Sequence, residues 1–382
     1  MKQTVIVNIS QMSEAGLEAA LADRLRRLLG TVAWLKGWQV ERRPAGRGAP
    51  VDILATLPLP AGGKAKLLVE CRQELRPSLF RTFTEKTSTL SSGSGTCVRV
   101  LGMPFVSPRI RELCVAEHWS WFDLAGNCHL DVPGLLRVEH AGNEAVHRTP
   151  RPRANLGTPE AGRILRALLA PEHAGKLWTQ RVMQTECMPS VSIGLVNKVV
   201  RHLCEEAFAD EGPERGFRLR NPRSLLEAWN EAYRFDRHRR RGYFTLLQGN
   251  ALHHALSELG SRTKGFAVYA AFSAADIQAP DVRQPKTWLY VREAELGHFE
   301  SMLEAKPVDV GENLVVLIPQ DEGVFYRSDP GHSPTGGRRL PCTNLVQTYL
   351  DLSHCGGRGK EAAETVLDLG LKPSWQAKGL PT

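Results

Sequence analysis

From Ser192 to Leu203 the apolar residues Ile193, Val196, Val199, Val200 and Leu203 recur at intervals of three and four, and no other stretch constrains the fold as tightly. This spacing predicts a helix with one buried face. Ser192 is placed to cap it, so that Gly194, Leu195, Asn197, Lys198 and Arg201 point away from the core near its amino end. A helix tip of that character can be laid against base edges.

The neighbours sharpen this reading. Thr179 can cap a short helix carrying Val182 and Met183, and Met188-Pro189-Ser190 supplies a turn between the two helices. Beyond the second helix, residues 207–210 read as a strand, residues 211–216 as a turn, and Phe217-Arg218-Leu219-Arg220 as a returning strand. One face of that strand can pack through Phe217 and Leu219 while Arg218 and Arg220 offer two guanidinium groups, which is the character of a wing. Upstream, Pro159 suits the first turn of a helix bearing Ile164, Leu165, Leu168 and Leu169; downstream, Pro222 opens another with Leu225, Leu226 and Trp229. A small helical core with a solvated basic face would give much of the same pattern. The order helix, helix, turn, polar-faced helix, basic hairpin favours a winged helix-turn-helix.

At 382 residues the chain is too long for one ordinary core, and two or three domains are expected. A charged fraction of 24% beside 42% hydrophobic residues excludes a disordered chain. The net charge of +8 and pI near 9.1 favour a polyanionic partner where the charge clusters. The eight cysteines are scattered without a CxxC pair, which predicts a reducing cytosol and no structural zinc. Residues 1–10 are polar-interrupted and no apolar run approaches membrane-spanning length, so the expectation is a soluble cytoplasmic protein without a membrane partner.

The first 150 residues predict an α/β or α+β domain. Residues 14–29 form a helix with Leu17, Leu21, Leu25, Leu28 and Leu29 on one side; residues 38–42, 51–57, 66–71 and 97–101 are strands; residues 88–96 form a loop. Ser107-Pro108 starts a helix over 109–117, and residues 119–124 and 128–132 form a hairpin in which Asp123 and Asn127 shape the turn. Asp52 lies on one strand and Glu70-Cys71-Arg72 ends the next, and two acidic groups so placed can share a divalent metal. The arrangement resembles the restriction-endonuclease-like PD-(D/E)xK pattern, with Glu14 and Glu18 as possible further ligands. Arg72 stands where that pattern has lysine, and a guanidinium cannot serve as a base, so a silent scaffold is the favoured reading. His253-His254 diverge around a helix and chelate poorly, and there is no Walker loop, Rossmann fingerprint or nucleophile elbow. No cofactor or metal is expected, and a metal-dependent nuclease using Asp52, Glu70 and Arg72 stays as the enzymatic alternative.

Residues 139–157, with Arg148, Arg151 and Arg153 between prolines, read as a linker. The run Arg237-His238-Arg239-Arg240-Arg241 reads either as an exposed helix end or as a phosphate-binding patch. Residues 242–382 alternate again: helices over 250–259, 294–303, 345–352 and 359–369, strands over 287–291 and 314–318, and an apolar run over 266–272.

Leu345-Val346-Gln347-Thr348-Tyr349-Leu350-Asp351-Leu352 and Gly357-Arg358-Gly359-Lys360-Glu361-Ala362-Ala363 resemble the carboxy-terminal signature of the AbiEi-type abortive-infection antitoxins, transcriptional regulators of type IV toxin-antitoxin systems. Leu225-Leu226-Glu227-Ala228-Trp229 and residues 270–280 fit the same family, giving a resemblance from about Asn155 to the end. It implies an autoregulatory DNA-binding repressor paired with a nucleotidyltransferase-like toxin. About 150 residues ahead of the winged helix depart from the family pattern, which leaves open a regulator without a toxin beside it, or a protein-interaction module of a defence or mobile-element locus.

The expected fold is therefore multidomain α/β (α+β): an N-terminal α/β domain over 1–150, a winged helix-turn-helix over 155–235, and a C-terminal α/β domain over 242–382. Ser192, Asn197, Lys198 and Arg201 would enter the major groove of double-stranded DNA, with Asn197 and Arg201 reading bases. Arg215, Arg218, Arg220, Arg239, Arg240 and Arg241 would hold phosphates. A homodimer on an inverted repeat is the usual geometry, though no surface in the sequence marks it.

Overall fold

The computed structural model describes residues 12–43, 51–60, 62–87, 96–144, 154–213, 216–262, 267–280, 284–328 and 340–382. The chain divides into two compact units, residues 1–151 and 152–382, and is a multidomain α/β protein.

In the first unit, α1 (Glu14–Gly30) starts on Ser13, whose side chain accepts from the amide of Gly16, and it buries the leucine stripe at 17, 21, 25, 28 and 29. There follow β1 (Gln39–Arg42), β2 (Ile53–Pro58), β3 (Lys64–Cys71), α2 (Phe80–Thr87), β4 (Cys97–Met103), α3 (Pro108–Ala116), β5 (Ser120–Asp123), β6 (Cys128–Val132) and β7 (Leu136–His140). All seven strands lie in one sheet in chain order, with β3, β4 and β5 mutually parallel and the other pairings antiparallel. Gly102 of β4 lets α1 approach: a Cβ there would stand 3.2 Å from Leu21 Cδ1. The sequence reading missed α2 and β7. Residues 139–140 pair with β6 as the end of a hairpin instead of opening a linker. The arginines of that stretch, Arg148, Arg151 and Arg153, lie outside the described residues, as do residues 88–95 of the loop.

The second unit opens with α4 (Pro159–Leu169), capped by Thr158 and burying Ile164, Leu165, Leu168 and Leu169. Next come β8 (Leu177–Trp178), α5 (Gln180–Glu186), α6 (Ile193–Glu205), β9 (Ala209–Glu211), β10 (Phe217–Leu219) and α7 (Pro222–Ala232). The three short strands form an antiparallel sheet in the order β8-β10-β9. Beyond them are β11 (Arg239–Phe244), α8 (Gly249–Arg262), β12 (Ala267–Tyr269), α9 (Ala271–Gln278), β13 (Thr287–Val291), α10 (Leu296–Met302), β14 (Lys306–Pro307) and β15 (Leu314–Ile318). The chain closes with α11 (Leu345–His354), α12 (Gly359–Val366) and α13 (Lys372–Gln376). The larger sheet runs β12-β13-β15-β11-β14, parallel only between β13 and β15.

Two differences from the sequence reading have clear causes. The basic run 237–241 is divided: Arg237 ends a short 3-10 helix (Phe235–Arg237), while residues 239–241 pair with residues 316–318 as part of a strand, so Arg239 and Arg241 point to one face and Arg240 to the other. The helix anticipated over 359–369 gives way at Leu367–Leu371 to a π turn, which leads into α13.

One apolar core joins the helices around α6 to one face of the larger sheet and the closing helices, from Ile164, Leu165, Val196, Val199 and Trp229 to Tyr290, Val315, Val346, Leu350 and Trp375, and a second core around Tyr243, Leu289, Phe299 and Val316 covers the sheet's other face. Polar contacts follow the first. Trp375 Nε1 donates to the carbonyl of Leu169 at 3.3 Å, Tyr326 donates to Glu186 at 2.7 Å, and Arg163 grips Asp321 through Nε and Nη2.

Candidate nucleic-acid interface

The helix that anchors the sequence reading forms as its spacing requires. Ser192 caps α6 by accepting from the amide of Leu195 at 3.2 Å, and Val196, Val199, Val200 and Leu203 are buried. Ile193 departs from expectation: it sits at the first position, one turn before Val196, and is 44% exposed. Leu195, expected outward, instead packs partly against the core. On the outer face Lys198 and Arg201 are exposed and Asn197 is half-buried. Among the described residues neither Lys198 nor Arg201 has a side-chain partner, so both charges are free for a polyanion.

Two contacts fix the angle between α5 and α6. Gln184 Nε2 donates to the carbonyl of Val191 at 3.1 Å, and Met183 anchors α5 in the core. Val182 on α5 and Met188 in the turn are exposed, as Ile193 is, which leaves three large apolar side chains uncovered along one helix-turn-helix. The strand pair β9-β10 stands behind α6 with Phe217 and Leu219 buried and Arg218 exposed. Its turn is held by Gly212 and Gly216. The amide of Gly212 donates to the carbonyl of Gly216 at 2.8 Å, and a Cβ at 216 would meet the carbonyl oxygen of Pro213 at 2.9 Å.

The structure keeps only some of the proposed basic residues free. Arg218 has no partner among the described residues, whereas Arg220 meets Asp210 at 3.3 Å. Arg239 pairs with Glu293; Arg240 meets Glu312 at 3.3 Å and lies 5.2 Å over the Trp288 ring. Arg215 lies outside the described residues.

In the first unit, Asp52 and Glu70 come together but around Arg72. The Arg72 guanidinium is 3.1 Å from Glu70 and 3.7 Å from Asp52, and Asp52 also accepts from the amide of Cys71 at 2.7 Å. Burial, then the Asp52 charge, pushes the Glu70 carboxyl up, with Arg72 opposing. Burial and Asp52 act on Glu18 in the same direction. A guanidinium thus occupies the place between the carboxylates, and among the described residues no group of three His, Cys, Asp or Glu is arranged to hold a metal. Asp123 is a turn residue, as its position suggested: fully buried, it accepts from the amides of Gly126 and Asn127 and from Asn127 Nδ2 at 2.8 to 2.9 Å.

Sequence reasoning missed a buried polar network in the second unit. Asp351 Oδ1 accepts from Gln347 Nε2 at 2.7 Å, Tyr290 at 2.8 Å and Tyr233 at 3.3 Å. Gln347 Oε1 accepts from Arg166 Nε at 2.6 Å, and the Tyr233 hydroxyl lies 2.8 Å from His238 Nε2. The amide of Gln320 donates to His238 Nδ1, so the imidazole is neutral with its proton on Nε2. Burial raises the Asp351 carboxyl to about 7 and lowers His238 to about 4, with the Arg166 charge adding to the latter. The clue was present in the signature itself: Gln347 and Asp351 are polar residues four apart on a helix that buries Val346, Leu350 and Leu352 beside them.

Residues 218–372 match the AbiEi_2 family. Its description is "Transcriptional regulator, AbiEi antitoxin, Type IV TA system". The AbiEi_2 match covers α7 to the start of α13, including the buried Gln347 and Asp351, and it agrees with the resemblance read from residues 345–352 and 357–363. It begins inside β10, later than the Asn155 inferred from sequence, so α6 lies ahead of it. No curated protein and no solved structure matches the chain. Among the described residues no helix is long and apolar enough to cross a membrane.

Proposed function

We propose that this chain is a DNA-binding transcriptional repressor that reads duplex DNA through a winged helix made of α4, β8, α5, α6, β9 and β10. The observation carrying the reading is the outer face of α6, where Lys198 and Arg201 are exposed and uncompensated next to a hairpin that offers Arg218. Ser192, Asn197, Lys198 and Arg201 enter the major groove; Asn197 and Arg201 face base edges, because both side chains pair bidentately with purines. Arg218 holds phosphate, and Arg215 and Arg220 contribute to the same role. Arg239 and Arg240, already answered by carboxylates, contribute less; Arg241 shares the Arg239 face. The AbiEi_2 match supports an antitoxin-like regulatory role; to it the proposal adds repression of its own operon and functional pairing with a nucleotidyltransferase-like toxin. Two copies on an inverted repeat are the geometry such modules favour. Asp52, Glu70 and Arg72 form a structural ion cluster without catalysis.

The test is binding to the protein's own upstream DNA at two salt concentrations. Arg201→Ala costs about 1–3 kcal/mol on the selected site and relaxes its sequence preference, while Arg218→Ala weakens all duplexes alike and lowers the salt slope by about one. Equal behaviour of the two variants on selected and random DNA refutes the assignment, and failure of the wild type to bind duplex at low salt refutes the regulator reading itself.

A further inference from the structure

A cavity of about 30 Å³ opens beside the amino end of α4, and Thr158, Gly162, Arg166, Trp229, Arg237 and His238 help to line it. Arg166 is only 3% exposed; Asp351 feels its charge through Gln347, but among the described residues no carboxylate forms a direct ion pair with it. Its Nε is satisfied by Gln347, but among the described residues Nη1 has no acceptor. A buried charged donor left without a partner is costly, so this guanidinium is poised for an acceptor that the described residues do not supply.

The surroundings specify the kind of acceptor. Asp321, the carboxylate in the wall, is already engaged by Arg163 and by the amide of Gly323. Arg234 is held by Asp236, whereas the exposed Arg237 feels Asp236 only through space and makes no side-chain hydrogen bond or ion pair among the described residues. The eleven-residue helix α4 turns its positive end to the same space. The Trp229 ring covers one face of the guanidinium, with its centroid 5.3 Å from Cζ, leaving the edge to do the binding. Position 162 has no side chain; a Cβ there would stand 3.1 Å from Arg166 Nη1 and 3.2 Å from the Trp229 ring.

Size decides between anions. A single water needs roughly 10–15 Å³ of such space, so the cavity admits about two or three atoms of that size. The planar three-atom carboxylate fits this space and matches the guanidinium fork, while the bulkier tetrahedral phosphate enters it less deeply. We infer that this cavity binds the carboxylate of a small organic acid, seated on Arg166 with the rest of the molecule directed to solvent past Arg237. The site is independent of the DNA-binding reading. Because α4 packs on α5 and α6, and Arg166 reaches Gln347 of α11, the acid acts on the element joining those helices to the AbiEi_2-matching region.

The test is thermal unfolding of the full chain titrated with sodium formate and sodium acetate, against sodium chloride and phosphate at equal ionic strength. A saturable rise in Tm with the two carboxylates alone is expected. Gly162→Ala, which keeps the guanidinium but fills the space beside it, weakens the apparent affinity at least tenfold, and Arg166→Met abolishes the rise. If Arg166→Met does not fold, Gly162→Ala carries the test. No carboxylate effect beyond chloride, an equal effect of phosphate, or an unchanged response in Gly162→Ala overturns the inference.

Discussion

Replacing Asp351 with asparagine tests the buried network quantitatively. Asp351 is fully buried, and its carboxyl is raised from an ordinary value of 3.8 to about 7. Between those two pH values the unfolded chain has released a proton that the folded chain retains, so the folded state loses stability as the pH rises. Each pH unit carries about 1.4 kcal/mol, giving about 4 kcal/mol over the window; below it the contribution is complete, and above it the loss is complete. His238 works in the opposite sense. Lowered from 6.5 to about 4, it is neutral in the fold while the unfolded chain takes up a proton, so stability is lost as the pH falls through that interval, by about 3 kcal/mol. The two gradients nearly cancel in the wild type between pH 4 and 6.5. Asp351→Asn removes only the first, so its stability relative to wild type climbs by about 3 kcal/mol between about pH 4.5 and 7.5. Urea unfolding at a series of pH values measures this directly, and His238→Gln should unmask the opposing slope. A difference between Asp351→Asn and wild type that is flat across the range would refute the assignment of a protonated, enclosed carboxyl.

Three further outcomes are expected. Ile193, exposed at the tip of α6, is suited to a thymine methyl; replacing contacted thymines with uracil should cost the wild type about 0.8 kcal/mol per methyl, some fourfold in Kd, and cost Ile193→Ser nothing. A loss of equal size in both proteins would exclude Ile193 as the reader. Asp123→Ala strips the acceptor from the amides of Gly126 and Asn127 and from the Asn127 side chain, and should lower the stability of the first unit by about 3–5 kcal/mol in denaturant unfolding; a change below about 1 kcal/mol would show the turn to be self-supporting. Arg240→Ala, whose charge Glu312 already meets, should leave the salt dependence of duplex binding unchanged. A slope reduced by about one would put β11 on the phosphates after all.

What was legible in the sequence was periodic. The leucine stripe of α1, the three-four spacing of α6 and the alternation around Phe217 and Leu219 each declare their buried side, because burial of one face is what sets the spacing. The turn role of Asp123 was legible for a related reason: its bonds to the amides of Gly126 and Asn127 are local, whereas its contacts with Val106 and Arg111 were not legible. Elements set by distant partners were not. The arginines at 239–241 look like a patch until pairing with β15 turns alternate side chains to opposite faces. The short β7 is a strand because β6 lies next to it. Arg72 invites comparison with a catalytic lysine, yet its contacts with Asp52 and Glu70 arise only when β2 and β3 lie side by side. The network around Asp351 joins residues from five separate segments between 166 and 351, so no window on the sequence contains it.

The continuous apolar core of the second unit carries a practical consequence for anyone dissecting the protein. Cutting after residue 235 would strip Trp375, Val346 and Leu350 from the helices they cover and bare a broad greasy flank around Leu165, Leu169 and Trp229. An isolated reader fragment should therefore precipitate rather than bind, and chimaeras that transplant α4 to α7 without α11 to α13 would inherit the same defect. The head and the body of this unit are to be exchanged together or not at all.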